Sequence, residues 1–251
     1  MADGVPPIFA VCGKGGVGKT AVSALLSRAL LDAGVRPLLL VDADPVGGLT
    51  SAIGERAVTT LGDVRSQVID RARHRGENEK QRLADEIDYM VLEALVERDD
   101  YGLLSIGRNT NKGCFCPVNT LLRSAIDLVV HPFAAVLIDA EAGIEQINRQ
   151  VTRRVSQLVA VTDGSARAAD ALGLIGALAG DIPLGVIANR GEAAALDALP
   201  RGAVPLGIVP EDDELRRFDR AGRPLWELSA QSAARVAARQ VARRLGFEVP
   251  A

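Results

Sequence analysis

The stretch Gly13-Lys14-Gly15-Gly16-Val17-Gly18-Lys19-Thr20 constrains this chain more than any other part of it. Glycines followed by a Lys-Thr pair at this spacing fit a phosphate-binding loop, in which backbone N–H groups wrap phosphate oxygens. Lys19 then reaches the terminal phosphates and the Thr20 hydroxyl is offered to Mg2+. Context supports the match. The apolar run Ile8 to Cys12 leads in as a buried strand, and Ala21, Leu25, Leu26, Ala29 and Leu30 follow at helical spacing, which sets the phosphates at a helix N-terminus. Gly13, Gly15, Gly16, Val17, Gly18, Lys19, Thr20 and Ala21 are therefore the candidate nucleotide-cradling residues.

The chain has 251 residues, 48% of them hydrophobic, enough for one large α/β domain spanning 1–251. A formal net charge of −3 argues against a surface that coats nucleic acid. Met1 to Pro7 lacks the pattern of a signal peptide, and no apolar run reaches the length of a membrane span, so a cytoplasmic protein that neither crosses a membrane nor binds nucleic acid is expected. Three cysteines, Cys12, Cys114 and Cys116, make no disulfide framework and suit a reducing compartment. Cys12, inside the lead-in strand, reads as a buried inert thiol.

Further strands are read at Pro37 to Val41, Tyr101 to Ile106, Ala134 to Ile138, Leu158 to Thr162, Leu184 to Ala188 and Leu206 to Val209. Helices are read at Thr20 to Ala33, closed by Gly34, and at Thr120 to Val130, Ala166 to Gly180 and Ser229 to Leu245. The charged region Leu61 to Arg98 reads as two surface helices joined by a solvated connection that holds His74. His131 reads as a helix-end residue. This alternation predicts a doubly wound, mostly parallel sheet with helices on both faces.

Two strands end in acids. Asp42-Ala43-Asp44-Pro45 follows the second, where Asp44 either positions the water that attacks a γ-phosphate or belongs to an acidic turn. Asp42 either serves Mg2+ or ends the strand. Asp139 ends a later strand and is suited to hold Mg2+ through water. Gly113-Cys114-Phe115-Cys116-Pro117 is the second informative stretch. In an extended segment residues i and i+2 point to one side, so both sulfurs could face one metal ion. A closed thiolate site takes four ligands, which two chains related by a two-fold axis would complete. A pair of merely packed thiols is the other reading.

The string GKGGVGKT resembles the deviant Walker A motif of the MinD/ParA and nitrogenase iron protein group, P-loop NTPases of the SIMIBI type. The resemblance implies an ATPase in which Lys14 crosses a dimer interface to the partner's ATP, and it gives Asp44 the water-orienting role. It also makes the segment from Asp139 to Gly143 a switch that Glu141 couples to the dimer interface, Asn189 the adenine-reading residue with Arg190 beside it in the nucleotide site, and Pro210 and Asp212 a second base-contacting segment, although Pro210 to Asp213 reads equally well as a proline-bounded acidic helix start. Leu104-Ser105-Ile106-Gly107-Arg108, the Cys114/Cys116 stretch with Val118-Asn119, and Leu121-Leu122-Arg123 look more narrowly like the nickel-insertion ATPases that mature carbon monoxide dehydrogenase. That likeness implies ATP/ADP and Mg2+, a homodimer bridged by ATP and by Ni2+ or Zn2+ on Cys114 and Cys116, and a client metalloenzyme. An electron donor with a bridging [4Fe-4S] cluster is one alternative, although such iron proteins space their cluster cysteines far apart. A ParA/MinD-like positioning switch is the other.

Overall fold

The computed structural model describes residues 6–73, 80–107, 124–140 and 155–249. Its frame is one eight-stranded sheet. In chain order the strands are β1 (Ile8–Gly13), β2 (Leu38–Asp42), β3 (Val96–Glu97), β4 (Tyr101–Ser105), β5 (Ala135–Asp139), β6 (Gln157–Thr162), β7 (Leu184–Asn189) and β8 (Val204–Val209). The spatial order is β3-β4-β2-β5-β1-β6-β7-β8. Every pairing is parallel except the short β3·β4 pair. The helices are α1 (Lys19–Asp32), α2 (Gly48–Ala52), α3 (Leu61–Arg73), α4 (Lys80–Ala94), α5 (124–129), α6 (Ala166–Ala179), α7 (Asp213–Arg220) and α8 (Ala233–Arg244).

Near-continuous apolar runs form the central strands because both sheet faces are covered. Along β1, Phe9 and Val11 join one core with α1 and α8, whereas Ile8, Ala10 and Cys12 join the other, with α4, α5 and α6. Leu38 and Leu40 of β2 likewise part from Leu39 and Val41. This is the two-residue period of a strand applied to a two-sided core. Burial pushes the Cys12 thiol up to about 12, which keeps it protonated and unreactive.

Helix α1 ends as expected at Gly34. The Gly34 N–H donates to the Leu31 carbonyl and the Val35 N–H to that of Leu30, the paired bonds of a Schellman motif. Two elements were not expected. The second half of the charged region ends at Ala94 rather than running on to Arg98, because Asp99 and Asp100 turn the chain and Val96–Glu97 pairs back on β4. Gly48–Ala52 is a short helix whose start is tied to Asp42. His131 lies exposed in the turn after α5. His74 and residues 120–123 of the expected helix lie outside the described residues. Among the described residues no helix is long and apolar enough to cross a membrane.

Candidate functional site

The order of the strands decides where the site forms. Strand β1 lies between β5 and β6, so the chain after β1 turns over a crevice at the carboxyl ends of the strands, where doubly wound folds hold their ligands. Gly13 closes β1 at φ 142°, and a Cβ there would collide with the Val161 carbonyl oxygen of β6. Gly18 stands at φ 87° as the residue before α1, and a Cβ on it would collide with the Asn189 amide and lie 2.9 Å from Arg190 Nη2. Only glycine meets both demands. No side chain caps α1, so the amides at its start face the cradle.

Lys19 is buried, and its ammonium donates to the Lys14 carbonyl at 3.3 Å, curling the loop around it. Thr20 Oγ1 donates to Asp139 Oδ2 at 2.8 Å, and Ser23 Oγ donates to Asp139 Oδ1 at 2.8 Å. In the sheet register Asp42 is the neighbour of Asp139. Asp42 Oδ2 accepts from the Thr50 N–H at 2.7 Å and from Thr50 Oγ1 at 2.6 Å, while its Oδ1 accepts from the Asp44 N–H at 3.2 Å. These bonds fold the β2–α2 loop back on itself. Asp44 Oδ1 accepts from the Val46 N–H, and Asp44 Oδ2 and Thr20 Oγ1 flank Gly48, 3.5 and 3.4 Å from where its Cβ would stand. Asp44 is thus brought beside Thr20, whereas Asp42 has its carboxylate taken up by the loop.

Burial pushes Asp139 up to about 6, against the pull of the Thr20 and Ser23 hydroxyls, with the Asp42 charge adding to the rise and Lys19 opposing it. Burial raises Asp42 as well, against its bonds from Thr50. A dication at this spot would favour the ionised form of both carboxyls. The donor set of a hydroxyl and carboxylates beside an open crevice suits magnesium, a hard cation that keeps several of its waters. The residues present therefore fit the ion.

Lys14 is half-buried on the other side of the loop. The Ser165 hydroxyl and amide hold Asp163 below its usual range, and the Lys14 charge adds to the effect. Within one chain the Lys14 charge is thus felt at Asp163, at the start of the β6–α6 loop. At the far end, Ala21, Asn189, Arg190, Pro210 and Asp212 line one cavity of about 110 Å3. Asn189 Nδ2 donates to the Val17 carbonyl at 2.7 Å, and Arg190 adopts φ 55°, rare for a side chain of its size. Asp212 caps two helices: Oδ1 accepts from the Glu214 and Leu215 amides of α7, and Oδ2 accepts from the Ala234 amide of α8. Arg216 also lines this cavity and was not foreseen.

Ser23 and Thr50 were missed as well. Ser23 lies one helical turn beyond Thr20 and was findable by spacing, whereas nothing in the sequence marks Thr50 as the partner of Asp42. Cys114, Cys116, Glu141 and Gly143 lie outside the described residues. Among the described residues no group of three or more His, Cys, Asp or Glu is arranged to hold a metal ion.

Residues 8–225 match the model of the CobQ/CobB/MinD/ParA nucleotide binding domain. The chain belongs to this MinD/ParA family. Like its relatives it is an ATPase of the P-loop class. It is 34% identical to an ATP-binding protein of Methanocaldococcus jannaschii over 234 residues, 88% of this chain and 91% of that one. It is 32% identical to the carbon monoxide dehydrogenase accessory protein CooC of Rhodospirillum rubrum over 239 residues, 88% of this chain and 90% of that one. Among solved structures, the cell division ATPase MinD of Pyrococcus furiosus superposes with a TM-score of 0.69 at 24% identity, covering 96% of this chain and 98% of the other. That likeness is one of fold: the MinD/ParA sheet, with helices on both faces.

Proposed function

We propose that this MinD/ParA-family ATPase is a metallochaperone that uses ATP to handle nickel for a carbon monoxide dehydrogenase-like enzyme. The observation that carries the reading is the similarity to the accessory protein CooC across 88% of the chain, joined to the Cys114/Cys116 pair. Nickel, or zinc in its place, is the cargo; soft thiolates accept both, and availability decides which is bound. Each chain of a homodimer would give Cys114 and Cys116 to one site of four sulfurs.

In this reading Lys19 and the α1 amides hold the β- and γ-phosphates, and Lys14 reaches the ATP of the partner chain. Thr20 and Asp139 hold Mg2+, which neutralises charge on the phosphates when bound. Asp44, fixed by its own turn beside Thr20, accepts a hydrogen bond from the attacking water. The water oxygen bonds the γ-phosphorus and its proton passes to Asp44 as the bond to the β–γ bridging oxygen breaks. Asn189, Arg190 and Pro210 would seat the adenine. Hydrolysis then loosens the dimer and releases its cargo.

The test is elemental analysis of anaerobically purified protein, comparing wild type with the Cys114→Ser/Cys116→Ser variant, with and without nucleotide. Nickel or zinc lost with the cysteines, at about one ion per two chains, is the expected result. Iron with sulfide points instead to an electron donor with a bridging cluster. Absence of any cysteine-dependent metal overturns the chaperone reading and leaves the ParA/MinD-like positioning switch.

A further inference from the structure

We propose that Ser23 is a positioning residue for the magnesium–nucleotide complex, locking the Asp139 carboxylate from the side away from Thr20. The inference rests on the reading of Thr20 and Asp139 as the magnesium-holding pair.

Three observations carry it. Ser23 is fully buried, and its hydroxyl donates to Asp139 Oδ1 at 2.8 Å, while Thr20 one turn earlier takes Oδ2 at the same distance. Residues i and i+3 share a helix face, so α1 grips both oxygens of a carboxylate that β5 presents. The second observation is a contrast within α1. A buried helical serine commonly returns its hydroxyl to a carbonyl of its own helix, and Ser27 does so, donating to the Ala24 carbonyl at 2.8 Å. Ser23 bonds across to the sheet instead. Third, Asp42 is the register neighbour of Asp139 but is satisfied by Thr50 and the Asp44 amide. The two buried carboxylates have separate sets of donors, so Asp42 does not supply the bond that Ser23 makes.

A carboxylate held at both oxygens keeps one rotamer, with the Oδ2 edge turned to the Thr20 hydroxyl. Without Ser23, Oδ1 is a buried acceptor lacking its donor, and the carboxylate rotates or draws in water to satisfy it. The cost falls on magnesium, whose octahedral shell tolerates little displacement of its partners.

The experiment is titration of a fluorescent ADP analogue into the full chain, with Mg2+ and with EDTA, for wild type, Ser23→Ala and Ser23→Thr, alongside melting temperatures. Wild type should bind more tightly with Mg2+. Ser23→Ala should lose about ten-fold of that gain, the scale of one hydrogen bond to a charged group, with its affinity in EDTA unchanged. Ser23→Thr, which keeps the hydroxyl, should recover most of it. If Ser23→Ala does not fold, Ser23→Cys, similar in size and a weak donor, carries the same comparison. A full magnesium-dependent gain in the folded variant, with only its melting temperature lowered, overturns the proposal. A wild type whose affinity ignores Mg2+ overturns the magnesium reading beneath it.

Discussion

The two ends of the proposed nucleotide site, one assigned to the phosphates and one to the base, are built differently. At the phosphate end side chains are held ready for chemistry: Lys19 is buried within the loop, Thr20 and Ser23 grip Asp139, and Asp44 is turned to Thr20 by its own short loop. At the base end the polar side chains mostly hold the protein together. Asn189 donates to Val17 and so ties β7 to the phosphate loop, and Asp212 caps α7 and α8 at once. The difference follows from what each end must bind. Phosphates and a dication need charges, which can be buried only with partners. A purine needs a shaped, largely apolar slot with few polar groups, so structural bonds that fix the walls do most of the work.

The largest effect is expected from Lys19→Ala. It removes the buried cation that opposes the rise of Asp139 and that, in the proposed function, reaches the terminal phosphates. Phosphate release should fall by about a hundred-fold or more, as when one preorganised charge-stabilising donor is lost. Hydrolysis within ten-fold of wild type would mean that the phosphate end works through its backbone alone.

A smaller effect comes from pH. Asp139 titrates at about 6 in the folded chain against an ordinary 3.8, so between those values the folded state holds a proton that the unfolded state has released. Stability of the nucleotide-free protein should therefore fall as pH rises through this window, because the proton that protects the buried carboxyl is being lost. In the proposed reading Mg2+ is held by the ionised form, so phosphate release under limiting Mg–ATP, which reports the free chain, should rise over the same window. Denaturant midpoints and phosphate release, measured from about pH 4 to about pH 7, check the opposite slopes. Asp139→Asn, which has no proton to lose, should remove its share of the stability slope.

How much of this was legible beforehand divides along the same line. The sheet could be read because its strands are buried on both faces, and the loop because glycine spacing and the Lys-Thr pair have few other uses. Asp139 was singled out because it ends a strand, whereas Asp44, two residues past the end of β2, took its role from the resemblance to the MinD/ParA group. What could not be read was how side chains would pair over long distances in sequence. Thr50 meets Asp42 only because α2 begins where it does, and Ser23 meets Asp139 across 116 residues. The Val96–Glu97 strand was hidden by charge, since it is a two-residue edge with one side in water. Asp212 lines the cavity, but a Pro-Glu-Asp-Asp string does not reveal that one carboxylate serves two helices.

That last residue separates the two ends most finely, when set against Asn189. Both line the base cavity, yet their side chains face different tasks. Asn189 touches the phosphate loop and Gly18, so Asn189→Ala should disturb the loop and the adenine slot together and weaken nucleotide binding by about ten-fold, the scale of a buried hydrogen bond. Asp212→Ala removes the N-cap of α7 and one bond at the start of α8, where Ser232 stays as the N-cap, and should cost about 1–2 kcal/mol of stability, while nucleotide affinity changes less than in Asn189→Ala. Denaturation and ADP titration on the two variants give a crossed pattern if the base end is shaped by structure: Asp212→Ala loses stability first and Asn189→Ala loses affinity first. Equal loss of affinity in both would show that the Asp212 carboxylate leaves its caps to meet the base, and the two ends of the site would then be built alike.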